Sequence, residues 1–299
     1  MRLLVSIPCY NESATLEEVV TSIPKDLDYV DKIDILVVDD GSSDGSSAIA
    51  ERLNVFLISH RKNYGVGRAF QSAQEWFLSH DYDILVTIDA DLQFDPMDIP
   101  KLIQPIVDNK FDFVSGSRFF ASKPLNMPNS KYLGNKLVSR LVGLITGRKI
   151  SDVSCGFRAF NRASINSLQI HSDFTYTQEC FLDLSRKKID ICEIPISVKY
   201  FLDRESRVAA SLFVYGKKVL QILFYTLKDY YPFKLFSILS LVFFIPGVAF
   251  ASFFVYMFIT SGKFSGYLFS GFLGAYFLSI SLFLFCFGML ADTLVNSRR

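Results

Sequence analysis

The sequence predicts an α/β domain with a mostly parallel sheet and helices on both faces, followed by an amphipathic helix and a pair of membrane-crossing helices. Three observations carry this. Short apolar, β-branched runs alternate with helical patterns through the N-terminal half. Chemically active residues recur where those runs end. No residue is charged between Lys234 and Lys263, nor between Lys263 and Asp292.

In order, "LLVSIP" precedes "SATLEEVVTSI", "IDILVVDD" precedes "SSAIAERL", "VFLIS" precedes "GRAFQSAQEWFLS", and "DILVTIDAD" precedes "PMDIPKLIQPIV", before a fifth run, "FDFVSGSR". Strict alternation implies βαβ units, because a crossover helix returns the chain to the end where the next strand must start. Ser13 ahead of "ATLEE" offers a helix cap, and Asp95-Pro96 reads as a cap and first helical residue. "SDVSCGFRAFNR", residues 151–162, reads as a strand, and "FTYTQECFLDLSRK", residues 174–187, as an amphipathic helix, with Phe157, Phe160 and Phe181 in the core.

Residues 211–234 place apolar positions 212, 219, 220, 223 and 227 on one side and Lys217, Gln221 and Lys228 on another, the pattern of a helix lying in a membrane interface. The two uncharged stretches each exceed the roughly 20 residues needed to cross a bilayer, so spans are expected at about 235–259 and 266–290. Pro246 with Gly247 is expected to kink the first. The organisation is thus a domain over 1–210, an interfacial helix over 211–234 and a hairpin over 235–299. Lys217, Lys218, Lys228 and Lys234 precede the hairpin and Arg298 and Arg299 follow it, against Lys263 in its loop. That bias places the domain and both termini in the cytoplasm, and "MRLLVSIPCYNE" lacks the features of a signal peptide.

A formal charge of +1 argues against nucleic acid as a partner. The five cysteines form no CxxC pair and no metal spacing with the three histidines, so reduced, mostly buried thiols are expected.

In sheets of this kind ligands gather outside the carboxyl ends of the strands. Those ends carry Pro8, Tyr10, Asn11 and Glu12, then Asp39 and Asp40, then Asp89, Asp91 and Gln93, then Ser117 and Arg118. Two carboxylates and an amide oxygen make a hard oxygen set suited to Mg²⁺ or Mn²⁺, metals that leave positions for phosphate oxygens. An adjacent Asp pair at a strand end can accept hydrogen bonds from a base or ribose. "NYGVGRAF" lacks the third glycine of a dinucleotide fingerprint and is no Walker loop; tight helix–strand packing and contact with a nucleotide's edge both account for it.

Together "SIPCYNE", "VVDDGSSDGS", "NYGVGRAF", "IDADLQFDP" and "SGSRF", in that order, resemble the glycosyltransferase family 2 enzymes of GT-A (Rossmann-like) type. "DADLQ" with "DVSCGFRAF" and a C-terminal membrane anchor is most similar to the polyprenyl-phosphate sugar synthases, of the dolichyl-phosphate mannose synthase type. The resemblance covers residues 3 to 210. It implies metal-dependent, inverting transfer of a hexose from a UDP- or GDP-linked donor to a dolichyl or undecaprenyl phosphate. Pro8, Tyr10, Glu12, Asp39 and Asp40 match positions that hold base and ribose. Asp89, Asp91 and Gln93 match the metal and diphosphate positions. Arg118 matches a residue lining the donor and acceptor site, and Arg204 and Arg207 match phosphate-facing arginines. Asp152 and Glu179, lone acids in uncharged surroundings, match positions near the acceptor, with Arg158 a lesser candidate.

Two departures stand out. Lys131 takes a phosphate-facing place where relatives often have Arg, and a lysine is a point charge without a fork. The only tryptophan is Trp76, so the Gln-x-x-Arg-Trp motif of processive synthases is missing and polymer synthesis is not expected. The hairpin is too small to carry a lipid-linked sugar across the membrane, so a flippase and downstream lipid-dependent glycosyltransferases are expected as partners. Two alternatives remain: a membrane glycosyltransferase acting on a glycolipid hydroxyl, with Asp152 or Glu179 as base, and a non-catalytic nucleotide-binding scaffold. Base, sugar, polyprenol and oligomeric state are not legible in the residues.

Overall fold

A computed structural model describes residues 1–120, 122–170, 173, 176–200, 224, 227–228, 231–262 and 264–297, the side chain of Asn296 excepted. Arg204 and Arg207, and most of the interfacial helix expected over 211–234, lie outside the described residues. The chain divides into two units, Met1–Gly216 and Lys217–Arg299.

The first unit is built on seven strands: β1 (Arg2–Cys9), β2 (Lys32–Asp39), β3 (Phe56–Ser59), β4 (Ile84–Thr87), β5 (Phe113–Ser117), β6 (Arg158–Asn161) and β7 (Ile191–Pro195). Their order is β3-β2-β1-β4-β6-β5-β7, with β6 antiparallel to both neighbours and every other pairing parallel. The helices are α1 (Leu16–Ser22), α2 (Ser46–Arg52), α3 (Val66–Ser79), α4 (Ile99–Val107), α5 (Asn129–Thr146), α6 (Arg162–Ser167) and α7 (Thr177–Arg186). Leu3, Val5 and Ile7 of β1 and Ile84 and Val86 of β4 are fully or almost fully buried, as strands covered on both faces require. Phe157, Phe160 and Phe181 lie in the core as expected, Phe160 stacking on Phe113 at 4.7 Å.

Helix starts and faces differ from expectation in two places. Ser13 does not cap α1. The helix begins at Leu16, because the Thr15 hydroxyl donates instead to the Glu12 carboxylate (3.1 Å) and to the Ala90 carbonyl (2.7 Å), tying the turn after β1 to the loop after β4. Asp95 does cap its turn, accepting from the Met97 amide at 3.0 Å. Helix α7 has the amphipathic pattern but no open polar face: Thr177 through Leu184 are all buried. It has sheet on one side, with Phe181 edge-on to Phe113 of β5 at 5.3 Å, and packs against α5 as well, so its polar residues are enclosed too. Cys9, Cys155 and Cys180 are buried and, with half-buried Cys192 and exposed Cys286, all five thiols are free. Burial pushes Cys9 up to about 11 and Cys155 and Cys180 up to about 12, so these thiols stay protonated and inert.

Among the described residues, the second unit has two long helices, Pro232–Ser261 and Leu268–Ser297, each long and apolar enough to span a membrane and each mostly exposed in the protein alone. The first runs on through Pro246. Glycines set the approach of the two helices: a Cβ on Gly274 would lie 2.7 Å from the Ala251 amide nitrogen, and one on Gly247 3.0 Å from the Leu278 side chain. Ser240 donates to the Ser281 carbonyl at 2.9 Å, satisfying a hydroxyl that lipid could not. Cysteines at 240 and 281 are expected to crosslink under mild oxidation, and Gly274→Leu to reduce that yield severalfold, read by gel shift after cleavage in the intervening loop.

Candidate active site

The crevice expected of such sheets lies outside the carboxyl ends of β1 and β4, where the strand order reverses direction along the chain. Pro8 is the last residue but one of β1, Tyr10 is about one-third exposed beyond the strand, and Glu12 donates its amide to Ser46 Oγ at 3.0 Å. Asn11 holds a left-handed conformation (φ 55°) that lets it interlock with the loop after β2: its amide donates to Ser42 Oγ (2.8 Å) and its side-chain oxygen accepts from the Ser43 amide (2.8 Å).

Asp39 and Asp40 are both almost fully buried and both saturated by protein donors. Asp39 accepts from the Ser42 amide and from the hydroxyls of Ser42 and Ser47. Asp40 accepts from the amides of Tyr64 (3.0 Å) and Gly65 (2.7 Å) and pairs with His60 Nδ1 at 2.7 Å, while His60 Nε2 meets Ser72 Oγ at 2.9 Å. The acid pair therefore shapes two loops. Gly41 (φ 76°) lies between them, where a Cβ would come within 2.5 Å of the Lys62 backbone, so only glycine fits.

Asp89 and Asp91 follow β4. Leu92, with φ 58°, turns the chain sharply so that the Gln93 amide donates to Asp91 Oδ1 at 3.0 Å. Gln93 enters through its backbone, its carbonyl accepting from the Lys199 amide at 2.8 Å. Burial, then the charge of Asp91, push Asp89 up to about 7, with Glu12 adding in the same direction and Arg118 opposing. Gly156 lies against the Asp89 carboxylate, where a Cβ would stand 3.0 Å from both oxygens. Its carbonyl is held by the Thr87 hydroxyl (2.7 Å) and the Tyr176 hydroxyl (3.2 Å). Two crowded carboxylates, one kept partly protonated for want of positive charge, are the donor set a divalent cation fits. Among the described residues no group of three or more His, Cys, Asp or Glu could hold a metal ion, so phosphate and water oxygens would have to complete its shell.

The cationic side faces this pair. Arg118, at the end of β5, forks onto Asp152 through Nε–Oδ2 (2.6 Å) and Nη2–Oδ1 (2.7 Å), and its backbone amide joins at 3.1 Å. Its Nη1 donates to the Tyr200 hydroxyl at 3.1 Å. Asp152 is fully buried and Arg118 side chain 7% exposed. Burial alone would lower the Arg118 pKa; the Asp152 carboxylate more than offsets this and holds it well above the usual value. Lys131, in the first turn of α5, lies 5.2 Å from the Tyr200 ring centre. Burial, then the Arg118 charge, lower its pKa, and Asp91 opposes.

Asp152 is thus placed to position Arg118 rather than to stand open as a base. Glu179 is enclosed in the first turn of α7 at 4% exposure. Arg158 is wholly buried, donating to the carbonyls of Cys155 and Val153 at 2.8 Å each, with its guanidinium 5.1 Å from the Phe181 ring, and so braces the turn that carries Gly156. Sequence reasoning missed three residues. Tyr200 belongs to no motif. His60 was left without a motif, and its partners come from three loops and helices. Glu193 did leave a signal, being a lone acid in the apolar run "ICEIPI": it accepts from the amides of Ser151 (2.7 Å) and Asp152 (2.9 Å) and so holds the turn that offers Asp152 to Arg118.

Glu193→Gln puts an amide N–H against one of those donors and is expected to lower turnover about tenfold, with Glu193→Ala lower still, while metal affinity changes little. Asp89 is the reverse of the usual carboxylate, its folded pKa lying above the unfolded value of 3.8. The folded protein therefore holds the extra proton between about 4 and 7, and the metal-free fold loses stability as pH rises through that window. Mn²⁺ binding must displace that proton, so the thermal shift it produces is expected to be larger at pH 8 than at pH 6, and Asp89→Asn to remove the difference.

Comparison with known proteins assigns the family and the fold. The glycosyl transferase family 2 model matches residues 4–168. A UDP-N-acetylglucosamine–dolichyl-phosphate N-acetylglucosaminyltransferase of Methanococcus voltae is 32% identical, the match covering 65% of this chain and 84% of that protein. A polyprenol monophosphomannose synthase of Mycolicibacterium smegmatis is 30% identical over 70% of this chain and 80% of that one. The fold is shared with glucosyl-3-phosphoglycerate synthase of Mycobacterium tuberculosis, solved with Mn²⁺, UDP and its product (19% identity, 75% of this chain and 79% of that one, TM-score 0.59). With the family model matching more than half of its length, the chain belongs to glycosyltransferase family 2 and is a membrane-associated glycosyltransferase.

Proposed function

We propose that the chain transfers a hexose from a UDP- or GDP-linked sugar to a polyprenyl phosphate, with inversion and with Mg²⁺ or Mn²⁺ held by Asp89 and Asp91. The observation that carries this reading is the opposition of an acid pair, Asp89 and Asp91, to a cation pair, Arg118 and Lys131, with the nearby Asp152 already committed to Arg118. A hydroxyl acceptor needs a base to take its proton. A phosphate acceptor is already ionised and needs cations instead. The names of the Methanococcus and Mycolicibacterium relatives point to the same acceptor class.

The metal, bound by Asp89 and Asp91 and the donor diphosphate, would supply charge stabilisation for the departing nucleotide. Arg118, held by Asp152 and Tyr200, has one further N–H on each terminal nitrogen that no bond among the described residues takes up, and these would meet the acceptor phosphate. Lys131 adds a second charge beside it, and its lowered pKa reflects how little water shields that charge. Arg204 and Arg207 are assigned to the same phosphates from sequence. Tyr10, Pro8 and Glu12 line the nucleotide end, which Asp39 and Asp40 shape through their loops. The catalytic unit and both termini are assigned to the cytoplasm, with the lipid-linked sugar passed to a flippase and a lipid-dependent glycosyltransferase.

The test is purified full-length protein in detergent with Mn²⁺ or Mg²⁺, a polyprenyl phosphate and a panel of labelled UDP- and GDP-sugars. Label is expected in acid-labile lipid from one donor. Nucleotide release only with hydroxyl acceptors would overturn the phosphate reading. Asp91→Asn is expected to lower transfer by about a thousandfold without unfolding the protein, and Arg118→Lys by about a hundredfold, since lysine cannot fork onto Asp152 and still reach a ligand. Unchanged turnover in excess EDTA would remove the metal.

A further inference from the structure

We propose that the outer face of α5 is a docking surface for anionic lipid headgroups, seating the catalytic unit on the bilayer independently of the two spanning helices. The proposal rests on the reading above, since the lipid phosphate must be met where it lies.

The first observation is a segregation of charge. From Arg118 to Ser151 the chain has no aspartate or glutamate, yet carries Arg118, Lys123, Lys131, Lys136, Arg140 and the Arg148-Lys149 pair. The whole chain balances 31 basic against 30 acidic residues, so this excess is local. The second is a misplaced apolar stripe. Val138 and Val142 turn α5 onto the domain and are buried, whereas Leu133 (64% exposed), Leu137 (59%) and Leu144 (78%) stand at i, i+4 and i+11 on the opposite side. Lys136 and Arg140, both exposed, flank that stripe. Leu125, 88% exposed, lies just ahead of the helix. The third is that the exposure is confined: every exposed leucine, isoleucine or valine among the described residues up to Tyr200 lies between Leu125 and Leu144.

A leucine stripe with a basic border is the pattern of an interfacial helix, the apolar side chains entering the acyl boundary and the cations meeting lipid phosphates. A second copy of the same face would bring like charges together, and the 211–234 segment, with Lys217, Lys218 and Lys228, is basic as well. Anionic lipid is the occupant that complements both the stripe and its border. The consequence for the reaction is geometric. Lys131 lies in the first turn of this helix, so seating α5 on the surface holds the acceptor end of the crevice at headgroup depth, and the lipid phosphate reaches Arg118 without its chain leaving the bilayer.

The test uses the full chain reconstituted into vesicles, with Cys192 and Cys286 replaced by alanine and an environment-sensitive fluorophore on Leu137→Cys or, as control, on Glu51→Cys. In vesicles of equal parts phosphatidylcholine and phosphatidylglycerol, the label at 137 is expected to shift to the blue and be quenched by spin-labelled lipid. The control label stays unaffected. Molar salt, or Lys136→Glu with Arg140→Glu, should reverse most of the shift. A label at 137 as wet as that at 51 would overturn the proposal; so would a blue shift in vesicles that spin-labelled lipid does not quench, which would mean that protein covers the stripe. The combination of Leu133→Gln, Leu137→Gln and Leu144→Gln is expected to raise KM for a long-chain polyprenyl phosphate in vesicles about tenfold while sparing a short, water-soluble prenyl phosphate. Equal loss with both acceptors would also overturn it. The fluorescence needs no turnover, so its outcome stands apart from the identity of the sugar acceptor.

Discussion

The buried ion pair between Arg118 and Asp152 is the interaction around which the site is organised. Taking two charges out of water is costly, and breaking such a pair from one side costs about 3–5 kcal/mol because it strands the other charge. Here the pair is sustained by geometry: a fork with two short contacts, a third from the Arg118 backbone, and Glu193 behind it gripping the turn that delivers Asp152. Arg118 comes from the end of β5, Glu193 from β7 beside it, and Asp152 from the connection that leads into β6. The antiparallel insertion of β6 between β4 and β5 is what returns that connection across the mouth of the sheet. A wholly parallel order would carry it to the far end.

Opposite that pair stand two carboxylates that the protein leaves short of positive charge. Asp89 is crowded by Asp91 and by burial, and Gly156, kept in place by Thr87 and Tyr176, gives its oxygens room. An apo site that is electrostatically uncomfortable binds a cation strongly, because the cation relieves repulsion already present. Arg118 and Lys131 offset this crowding only in part, because the Arg118 guanidinium is also forked onto Asp152. Lysine at 131 gives a point charge rather than the planar fork that Arg118 presents.

The spanning helices solve a different problem with different residues. Without water to drive apolar faces together, Gly247 and Gly274 permit close backbone approach and Ser240 satisfies its hydroxyl across the pair. Aromatic rings also pair across the two helices, Phe233 with Phe285 at 5.5 Å and Phe236 with Phe287 at 4.8 Å. Among its described residues the first unit keeps its leucines, isoleucines and valines from full exposure, apart from Leu125 just ahead of α5 and Leu133, Leu137 and Leu144 on it.

The alternation of β-branched runs with helical patterns, the Asp-x-Asp at the end of the fourth run and the two uncharged stretches were enough to specify an α/β sheet, an acid pair at its carboxyl edge and a membrane hairpin. These features are local: each depends on the period or chemistry of adjacent residues. What the tertiary structure decided depends on residues far apart in the chain. Asp39 and Asp40, legible as a pair, became loop organisers because amides of Ser42, Tyr64 and Gly65 reached them first. Asp152, a lone acid in sequence, became the partner of an arginine 34 residues away, and Tyr200 joined from 82 residues away with no motif to announce it. A sequence records which charges a chain carries, but only folding decides which of them are paired and which are left to meet a ligand.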